Sequence, residues 1–332
     1  MIKAACAEPG RGAAQPVSEK LVGKVDAREV LVTDWCLGAE GRHTVTARWP
    51  SSHPFYTQRS SRFSPLLFTE TVRQALGLLA RTAYDVPPEY RMGWNSYRSS
   101  VDPDALRAQP GSTEIVLTVR HRSGAARHRS GAARHRSGAA RRRPGGPARL
   151  AAEVSAVRDG VYLGTAEIDY TAFPPALYDR LRGERADARA AFAEALRPEA
   201  PVPAHLVHRV RTGDVVLSPT TEENIWQLRT ETSHRVLFDH PHDHVPGMVL
   251  LEAAHQASLL TVGSAEAQFT GARFDFRSYV EFGRPCWIET VPLLSDPRGL
   301  NLTRVTGVQD GEEAFSGTLT TVVRGSRARS PI

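Results

Sequence analysis

The chain has 332 residues and a formal net charge of +6, with 41% hydrophobic and 23% charged residues. This length accommodates two ordinary domains, and the composition is typical of a globular protein that buries an apolar core. No apolar run approaches the roughly 18 residues that cross a bilayer, and residues 1–20 lack the apolar centre of a secretory signal. We therefore expect no membrane partner and a cytoplasmic location.

The cysteine content excludes two further classes. Cys6, Cys36 and Cys286 are an odd number without paired spacing. This argues against a disulfide framework and against a structural zinc site, and it fits a reducing compartment.

The positive charge is confined to one segment. Residues 120–143 contain nine arginines and no acidic residue, which leaves 33 basic against 36 acidic residues elsewhere. The segment repeats RHRSGAA without apolar heptad positions, so it predicts a disordered insert over 120–147 rather than a coiled coil. No aromatic side chains interleave the arginines, so base stacking is unsupported and we expect no nucleic-acid partner. The alternative is a weak electrostatic patch for RNA, DNA or an acidic partner.

An internal repeat organises the remaining sequence. LVGKVDAREVLV, which begins at Leu21, is matched by LVHRVRTGDVVL from Leu206, and His53 is matched by His234. The apolar segment PLLFTETVRQA, over residues 65–75, corresponds in the same order to GMVLLEAAHQA. The three offsets agree within four residues, so the pattern indicates a duplicated unit of about 150 residues.

Both units contain an apolar helix followed by alternating runs that predict antiparallel strands. In the first unit we predict strands over 30–33 and 43–49, a helix over 65–83, and strands over 114–119, 150–158 and 161–171. In the second unit we predict a helix over 247–262 and strands over 272–280, 286–293, 300–308 and 313–323.

Both helices are apolar nearly all round, which is typical of a buried helix wrapped by its sheet. The predicted class is therefore α+β, a tandem (double) hot-dog with one central helix in each antiparallel sheet. The expected organisation is a flexible N-terminus over 1–19, a first domain over 20–173, a helical linker over 174–204, a second domain over 205–325 and a flexible tail over 326–332.

Polar residues interrupt both apolar helices at equivalent positions. The first helix carries Glu70, Arg73 and Gln74, and the second carries Glu252, His255 and Gln256. Spacings of three and four residues place each trio on one helix face. A carboxylate there is costly unless it is paired or faces a cavity, so each trio is either a structural ion pair or part of a functional site.

The segment FDHPHDHVPGMVLLEAAHQA, over residues 238–257, resembles the signature of the A-factor synthase family. ARWPSSHPFY and PLLFTETVRQA resemble that family's first repeat, and the resemblance covers nearly all of residues 20–325 except the insert. Pro246-Gly247, Glu252-Ala253 and Gln256 are also similar to hot-dog β-hydroxyacyl-carrier-protein dehydratases. Those enzymes need a histidine where Phe238 stands, with His240 two residues away, so the dehydratase dyad is incomplete.

The family resemblance implies an acyltransferase. It implies that a β-ketoacyl group moves from acyl carrier protein to the hydroxyl of dihydroxyacetone phosphate, the first step toward a γ-butyrolactone-type signal, with no cofactor and no metal. Two alternatives remain open: another hot-dog thioesterase or dehydratase, or a non-catalytic regulatory protein that binds a lactone or an acyl thioester.

The reaction assigns roles to the two trios. Glu252 is the first candidate for the general base and Glu70 the second, while N–H groups near Gly247 suit the oxyanion and Arg73 suits the phosphate. Gln74, Gln256, His255 and His244 are the remaining candidates for substrate binding. One position departs from the family pattern, which has arginine at His255. A shorter and only partly charged side chain there predicts weaker phosphate binding or a different acceptor.

Two sequence patterns bear on metal binding. His240, His242 and His244 alternate, but Pro241 and Pro246 interrupt a regular strand, so the pattern favours a loop that lines a pocket. Glu252 and His255 have the spacing of half a di-iron site, and Arg73 at the equivalent position of the first helix excludes the other half.

Overall fold

The computed structural model describes residues 17–58, 60–123, 146–295 and 299–323. Within these ranges no helix combines the length and apolar character needed to cross a membrane. The first half contains α1 (Glu19–Val22), β1 (Val32–Leu37), β2 (Arg42–Trp49), α2 (Pro65–Thr82), β3 (Arg91–Val101), β4 (Thr113–Ser123), β5 (Ala148–Arg158) and β6 (Val161–Phe173). The second contains α3 (Pro175–Arg182), α4 (Ala188–Ala193), β7 (Leu217–Pro219), β8 (Ile225–Leu228), α5 (Gly247–Val262), β9 (Ala267–Phe276), β10 (Cys286–Ser295), β11 (Leu300–Gln309) and β12 (Glu312–Val323).

All twelve strands form one antiparallel sheet in the order β1-β2-β4-β5-β6-β3-β9-β12-β11-β10-β8-β7. The order reads the same from both ends when each strand of the first half is exchanged for its counterpart in the second. The duplicated sequence therefore folds into two equivalent half-sheets. They join where β3 pairs with β9, from Ser96 opposite Asp275 to Ser100 opposite Gly271.

The helices α2 and α5 are the buried centres of the two half-sheets. Ser64 caps α2 by accepting a hydrogen bond from the Leu66 N–H, and Pro65 occupies the first turn, where a missing N–H costs nothing. The helix α5 ends at Gly263, whose φ of 66° is the left-handed conformation that closes helices. Residues facing every direction on both helices are buried, as their nearly uninterrupted apolar sequences predict.

Side-chain hydrogen bonds tie each helix to its sheet. In the first unit the Trp49 indole donates to Thr71 at 2.9 Å, and the hydroxyls of Thr69 and Tyr97 lie 2.7 Å apart. In the second unit Thr261 and Thr290 make the corresponding contact, also at 2.7 Å. The predicted tandem hot-dog class is confirmed, and both predicted helices are present.

Several predicted boundaries differ from the structure. The strand β3 was not predicted, because its polar sequence lies at the junction of the half-sheets and shows no clear alternation of burial. Because the two units share one order of elements, a short strand or two was expected before the helix of the second unit as well, and β7 and β8 are these strands. The strand β9 lies over 267–276 rather than 272–280, since residues 277 and 278 turn onto the Ala314 carbonyl and Val280 pairs with Val245.

The Arg-rich insert begins later than expected. Residues 120–123 continue β4 and pair with β5, with Ser123 opposite Leu150, so they are ordered strand rather than part of a disordered segment. Residues 124–145 lie outside the described part of the chain. Of the expected flexible N-terminus over 1–19, residues 17–19 are ordered, because Val17 is buried and Glu19 begins α1. Residues 1–16 and the expected flexible tail over 326–332 lie outside the described part of the chain.

The segment that connects the two units in sequence contains α3 and α4, and both helices pack against the second unit. Arg182 of α3 pairs with Asp243 at 2.9 Å and Glu281 at 2.7 Å, and Phe192 of α4 contacts the Phe282 ring. Cys36 is disulfide-bonded, contrary to the expectation from the odd cysteine count, and Cys286 is a buried free thiol.

Candidate active site

The first polar trio forms a closed ion-pair network on α2. Arg73 binds Glu70 through two hydrogen bonds, Nε to Oε2 at 2.7 Å and Nη2 to Oε1 at 2.8 Å. The Lys24 ammonium lies 3.4 Å from Oε1 of the same carboxylate. The Glu70 side chain is 3% exposed and that of Arg73 is 24% exposed, so Arg73 is the more accessible member of the pair.

The second trio holds its glutamate differently. Arg209, which precedes β7, donates from Nε to Glu252 Oε1 at 2.7 Å, and its Nη2 lies 2.5 Å from Oε2. His255 Nδ1 lies 3.7 Å from the same Oε2, beyond hydrogen-bonding distance. All three side chains are at least 97% buried. The cation thus comes from the segment before β7 rather than from the helix.

The two glutamines have one shared structural role. Gln74 donates to Glu70 and to the Glu29 carbonyl and accepts from the Leu31 N–H. Gln256 makes the equivalent three bonds, to Glu252, to the Asp214 carbonyl and from the Val216 N–H. Both amides have their donors and acceptor occupied, so they fix each glutamate against the segment before the first strand of its unit.

Each carboxylate site is completed by a loop from the opposite unit. Asp239, from the loop before α5, accepts the Val25 N–H at 3.0 Å and lies 4.0 Å from Lys24. In the other direction, Arg209 Nη1 donates to the Phe55 carbonyl at 2.5 Å and its guanidinium lies over the Phe55 ring. Neither site is therefore complete within one unit.

Ion pairing decides the charge of both glutamates. Burial works to raise the pKa of Glu70, but Arg73 and Lys24 hold it down to about 2. Burial also opposes ionisation of Glu252, but the Arg209 charge holds the pKa of that carboxyl below its ordinary value. Burial lowers the pKa of the His255 imidazole, only partly offset by Glu252. At neutral pH both glutamates are therefore anions and His255 is neutral.

A narrow cavity of about 30 Å³ lies between the units beside His255. It is lined by Pro65, Leu66 and Thr69 of α2, Tyr97 of β3, Leu251 and His255 of α5, and Phe269 of β9, among others. A second cavity of about 60 Å³ shares Pro65 and Phe269 with the first and includes Arg62 and His208. Each volume holds only a few water molecules, so a longer ligand must displace lining side chains.

A family model described as the A-factor biosynthesis hotdog domain matches residues 6–174 and 191–279. The chain belongs to the A-factor biosynthesis hotdog family. Three Streptomyces proteins, each named 2-oxo-3-(phosphooxy)propyl 3-oxoalkanoate synthase, are similar to it. The Streptomyces virginiae protein is 35% identical, over 90% of this chain and 95% of the relative.

The Streptomyces coelicolor relative is 35% identical over 92% of this chain and 91% of its own length. The Streptomyces griseus relative is 36% identical over 94% and 96%. Among solved structures, a 12:0-ACP thioesterase from Umbellularia californica has a TM-score of 0.51 at 9% identity, covering 84% of this chain and 96% of that one. A pyran synthase domain of the sorangicin pathway has 0.50 at 13%, covering 89% and 98%. At such identities these structures show the fold alone.

In this A-factor biosynthesis hotdog protein, two predicted site residues lie apart from the trios. His244 contacts Asp243, Tyr178 and the Tyr279 ring, within the network that anchors α3. Gly247 begins α5, and neither described cavity includes Gly247 or His244 in its lining. The cavity beside His255 is lined instead by the start of α2, at Pro65. The first unit thus supplies the helix start next to the histidine of the second unit.

The group of possible metal ligands in the structure differs from the three alternating histidines of the sequence. Ligand atoms of Asp239, His240 and His242 lie within 4.8 Å of one another, and this group does not include His244. The donor types suit a transition metal. Asp239 is already engaged by His240 Nδ1 at 2.6 Å, by the Val25 N–H and by Lys24. His240 lies beside Asp239 near the Glu70 site, so it does not supply a dehydratase histidine to Glu252.

Two cations of the carboxylate sites were not predicted as site residues. Lys24 and Arg209 occupy the same position of the repeat, the basic residue in LVGKV and in LVHRV. That recurrence was visible in the sequence. A basic residue before a strand is usually a surface residue, and only the fold shows that each one reaches a buried carboxylate.

Proposed function

We propose that this protein catalyses the reaction for which its Streptomyces relatives are named, the formation of a 2-oxo-3-(phosphooxy)propyl 3-oxoalkanoate. A β-ketoacyl (3-oxoacyl) group moves from a thioester to the hydroxyl of dihydroxyacetone phosphate. The observation that carries this proposal is 35–36% identity across at least 90% of this chain and of each relative. The matched length extends over both units.

We place the chemistry at the Glu252 site. His255 of this site lines a cavity between the units. An apolar cavity suits an acyl chain, because binding there removes the chain from contact with water. Glu252 is the essential carboxylate of this site in the proposal, with Gln256 fixing its position. Glu70 and Gln74 form the corresponding structural pair of the first unit.

The acceptor's phosphate needs a cation with a free donor edge. Arg73 offers one, because Glu70 occupies Nε and Nη2 while the side chain remains 24% exposed. Arg209 is 2% exposed and bound to Glu252 and Phe55, so it has no equivalent edge. Charges of both sites, Glu70 and Arg73 in the first and Arg209 in the second, act on the buried hydroxyl of Tyr56. We therefore propose Arg73 as the phosphate contact.

The donor in this proposal is a β-ketoacyl thioester on acyl carrier protein, which places the reaction in the cytoplasm. Ester formation from a thioester changes no oxidation state, so the proposed step calls for no redox cofactor. The thiol leaves as the ester forms, and the products are a phosphorylated β-ketoester and the free carrier.

The decisive experiment is incubation of the purified full-length protein with a β-ketoacyl thioester and dihydroxyacetone phosphate, followed by mass spectrometry. We expect the phosphorylated ester to appear only with protein, donor and acceptor together. Release of free β-keto acid at the same rate without acceptor would identify a thioesterase instead. Binding of the thioester without any product would identify a regulatory protein.

A further inference from the structure

His255 and Glu252 differ in one decisive respect from Arg73 and Glu70. In the first unit the helix residue three positions after the glutamate is its principal cation. In the second unit Arg209, from the segment before β7, is the cation that pairs with the glutamate. His255 therefore does not serve as the cation of this pair. Among the described residues neither ring nitrogen of His255 has a hydrogen-bond partner, although the side chain is 3% exposed.

A buried imidazole without partners is costly, and such groups in native proteins call for an explanation. Here the ring also lines the cavity between the units and packs against Phe269 with the ring centres 3.8 Å apart. Glu252 lines neither of the two described cavities. Of this pair, only the imidazole is in position to touch a ligand.

We propose that His255 is the catalytic base of acyl transfer and that Glu252 is its positioning residue. This inference rests on the proposed function and replaces Glu252 as the group that accepts the proton. It concerns this chain alone, because the family pattern has arginine at this position. Glu252 Oε2 faces Nδ1 at 3.7 Å, a distance that a small ring rotation closes to a hydrogen bond. That bond would place the proton on Nδ1 and leave the Nε2 lone pair for the substrate.

The proton and electron balance of the step is simple. The acceptor hydroxyl oxygen attacks the thioester carbonyl carbon, a C–O bond forms, and the hydroxyl proton moves to His255 Nε2. When the tetrahedral intermediate collapses the C–S bond breaks, and the imidazolium returns the proton to the leaving sulfur. The negative oxygen of the intermediate lies near the Tyr97 hydroxyl, which lines the same cavity and is free to donate when it accepts the hydrogen of the Thr69 hydroxyl.

The ion pair with Arg209 fits Glu252 to positioning better than to proton transfer. A carboxylate held by a buried guanidinium is a weak proton acceptor, whereas a neutral imidazole accepts protons near neutral pH. The charged and titratable groups around His255 are Glu252 on its own helix, and Arg209 and His208 on the segment before β7. The cavity wall opposite adds the neutral hydroxyls of Thr69 and Tyr97.

The test compares wild type with His255→Gln in ester formation from a β-ketoacyl pantetheine thioester between pH 5 and 8. Dihydroxyacetone is used beside its phosphate, because the phosphate itself titrates near pH 6. The pKa of His255 is lowered by burial, so wild type should be fully active above pH 6.5 and lose activity as pH falls through that lowered pKa. His255→Gln should lose about a hundredfold in kcat/KM and should lose this acid limb.

His121→Gln is the matched control, because His121 is another buried histidine, bonded to Tyr170 in the first half-sheet. It should keep the wild-type rate and pH profile. Glu252→Gln should shift the acid limb to lower pH, since the imidazolium loses its neighbouring anion. That shift distinguishes positioning from a merely structural role.

Two results would overturn the assignment. One is a folded His255→Gln protein that keeps its rate and its acid limb. The other is a wild-type acid limb with dihydroxyacetone whose midpoint lies above pH 6.5, since burial lowers the pKa of His255 from that value. This second result needs no variant to fold. If wild type forms no ester at all, the proposed function fails first, so the two failures are distinguishable.

Discussion

Arg73 and Arg209 bind equivalent glutamates from positions that are not equivalent in the repeat. Arg73 follows Glu70 by three residues on the same helix, whereas Arg209 precedes Glu252 by 43 residues and corresponds to Lys24. Each gives its glutamate two close nitrogen–oxygen contacts of 2.8 Å or less. The two units therefore keep one buried anion–cation pair by different side chains, and this exchange leaves His255 neutral.

The Glu252–Arg209 pair supports both stability and activity, and a double variant separates the two. Glu252→Gln leaves Arg209 as a buried unpaired cation, so we expect a loss of about 3–5 kcal/mol in the free energy of unfolding. Activity should fall about a hundredfold or more. In Glu252→Gln/Arg209→Met both charges are gone, so stability should recover in part while activity stays low. Urea unfolding and ester assays measure the two effects, and an active double variant would remove Glu252 from the mechanism.

Arg73→Ala tests the phosphate contact. Glu70 keeps Lys24 and Gln74 as partners, so the protein should remain folded. We expect KM for dihydroxyacetone phosphate to rise at least about tenfold, in keeping with the loss of one charge-assisted contact. The values for dihydroxyacetone, which has no phosphate, should be unchanged. An equal loss with both acceptors would show that Arg73 acts on the fold instead.

The Glu70 network makes the free energy of unfolding depend on pH in the acidic range. The pKa of Glu70 is lowered from 4.5 to about 2, and that of Asp239 from 3.8 to about 2. A lowered pKa means that the folded state favours the anion, so this stability is complete above about pH 5 and is lost as pH falls toward 2. For Glu70 the full effect is about 3 kcal/mol. Urea midpoints between pH 6 and 3 should therefore fall, and Glu70→Gln should flatten that dependence.

The Arg-rich insert leaves and re-enters the sheet at neighbouring positions. Ser123 pairs with Leu150, and Arg122 bridges to Glu153 at 3.0 Å. Replacing residues 124–146 by a short Gly-containing turn should therefore keep the β4–β5 hairpin and change the free energy of unfolding by about 0.5 kcal/mol or less. Ester formation should be unaffected. A folded but inactive deletion variant would reveal a functional role for the arginines.

The sequence was sufficient to predict the duplication, both buried helices and the polar trios, because each of these is a local pattern or a recurrence. It was not sufficient to identify Arg209 as the partner of Glu252, since the two lie 43 residues apart and meet only after folding. The strand β3 was missed because an interior position at the junction imposes no simple alternation on Tyr97 and its neighbours. Gly247 and His244 were placed by motif alone, and the contacts across the interface put Pro65 at the cavity instead.

The pairing of β3 with β9 joins two copies of one ancestral unit in a single polypeptide. In a dimer of identical subunits, a mutation that replaced arginine by histidine would change both sites at once. In a fused chain the same mutation changes one site and leaves the other as it was. Covalent joining thus lets the site at Arg73 and the site at His255 differ, so that one carries a cation and the other a neutral imidazole.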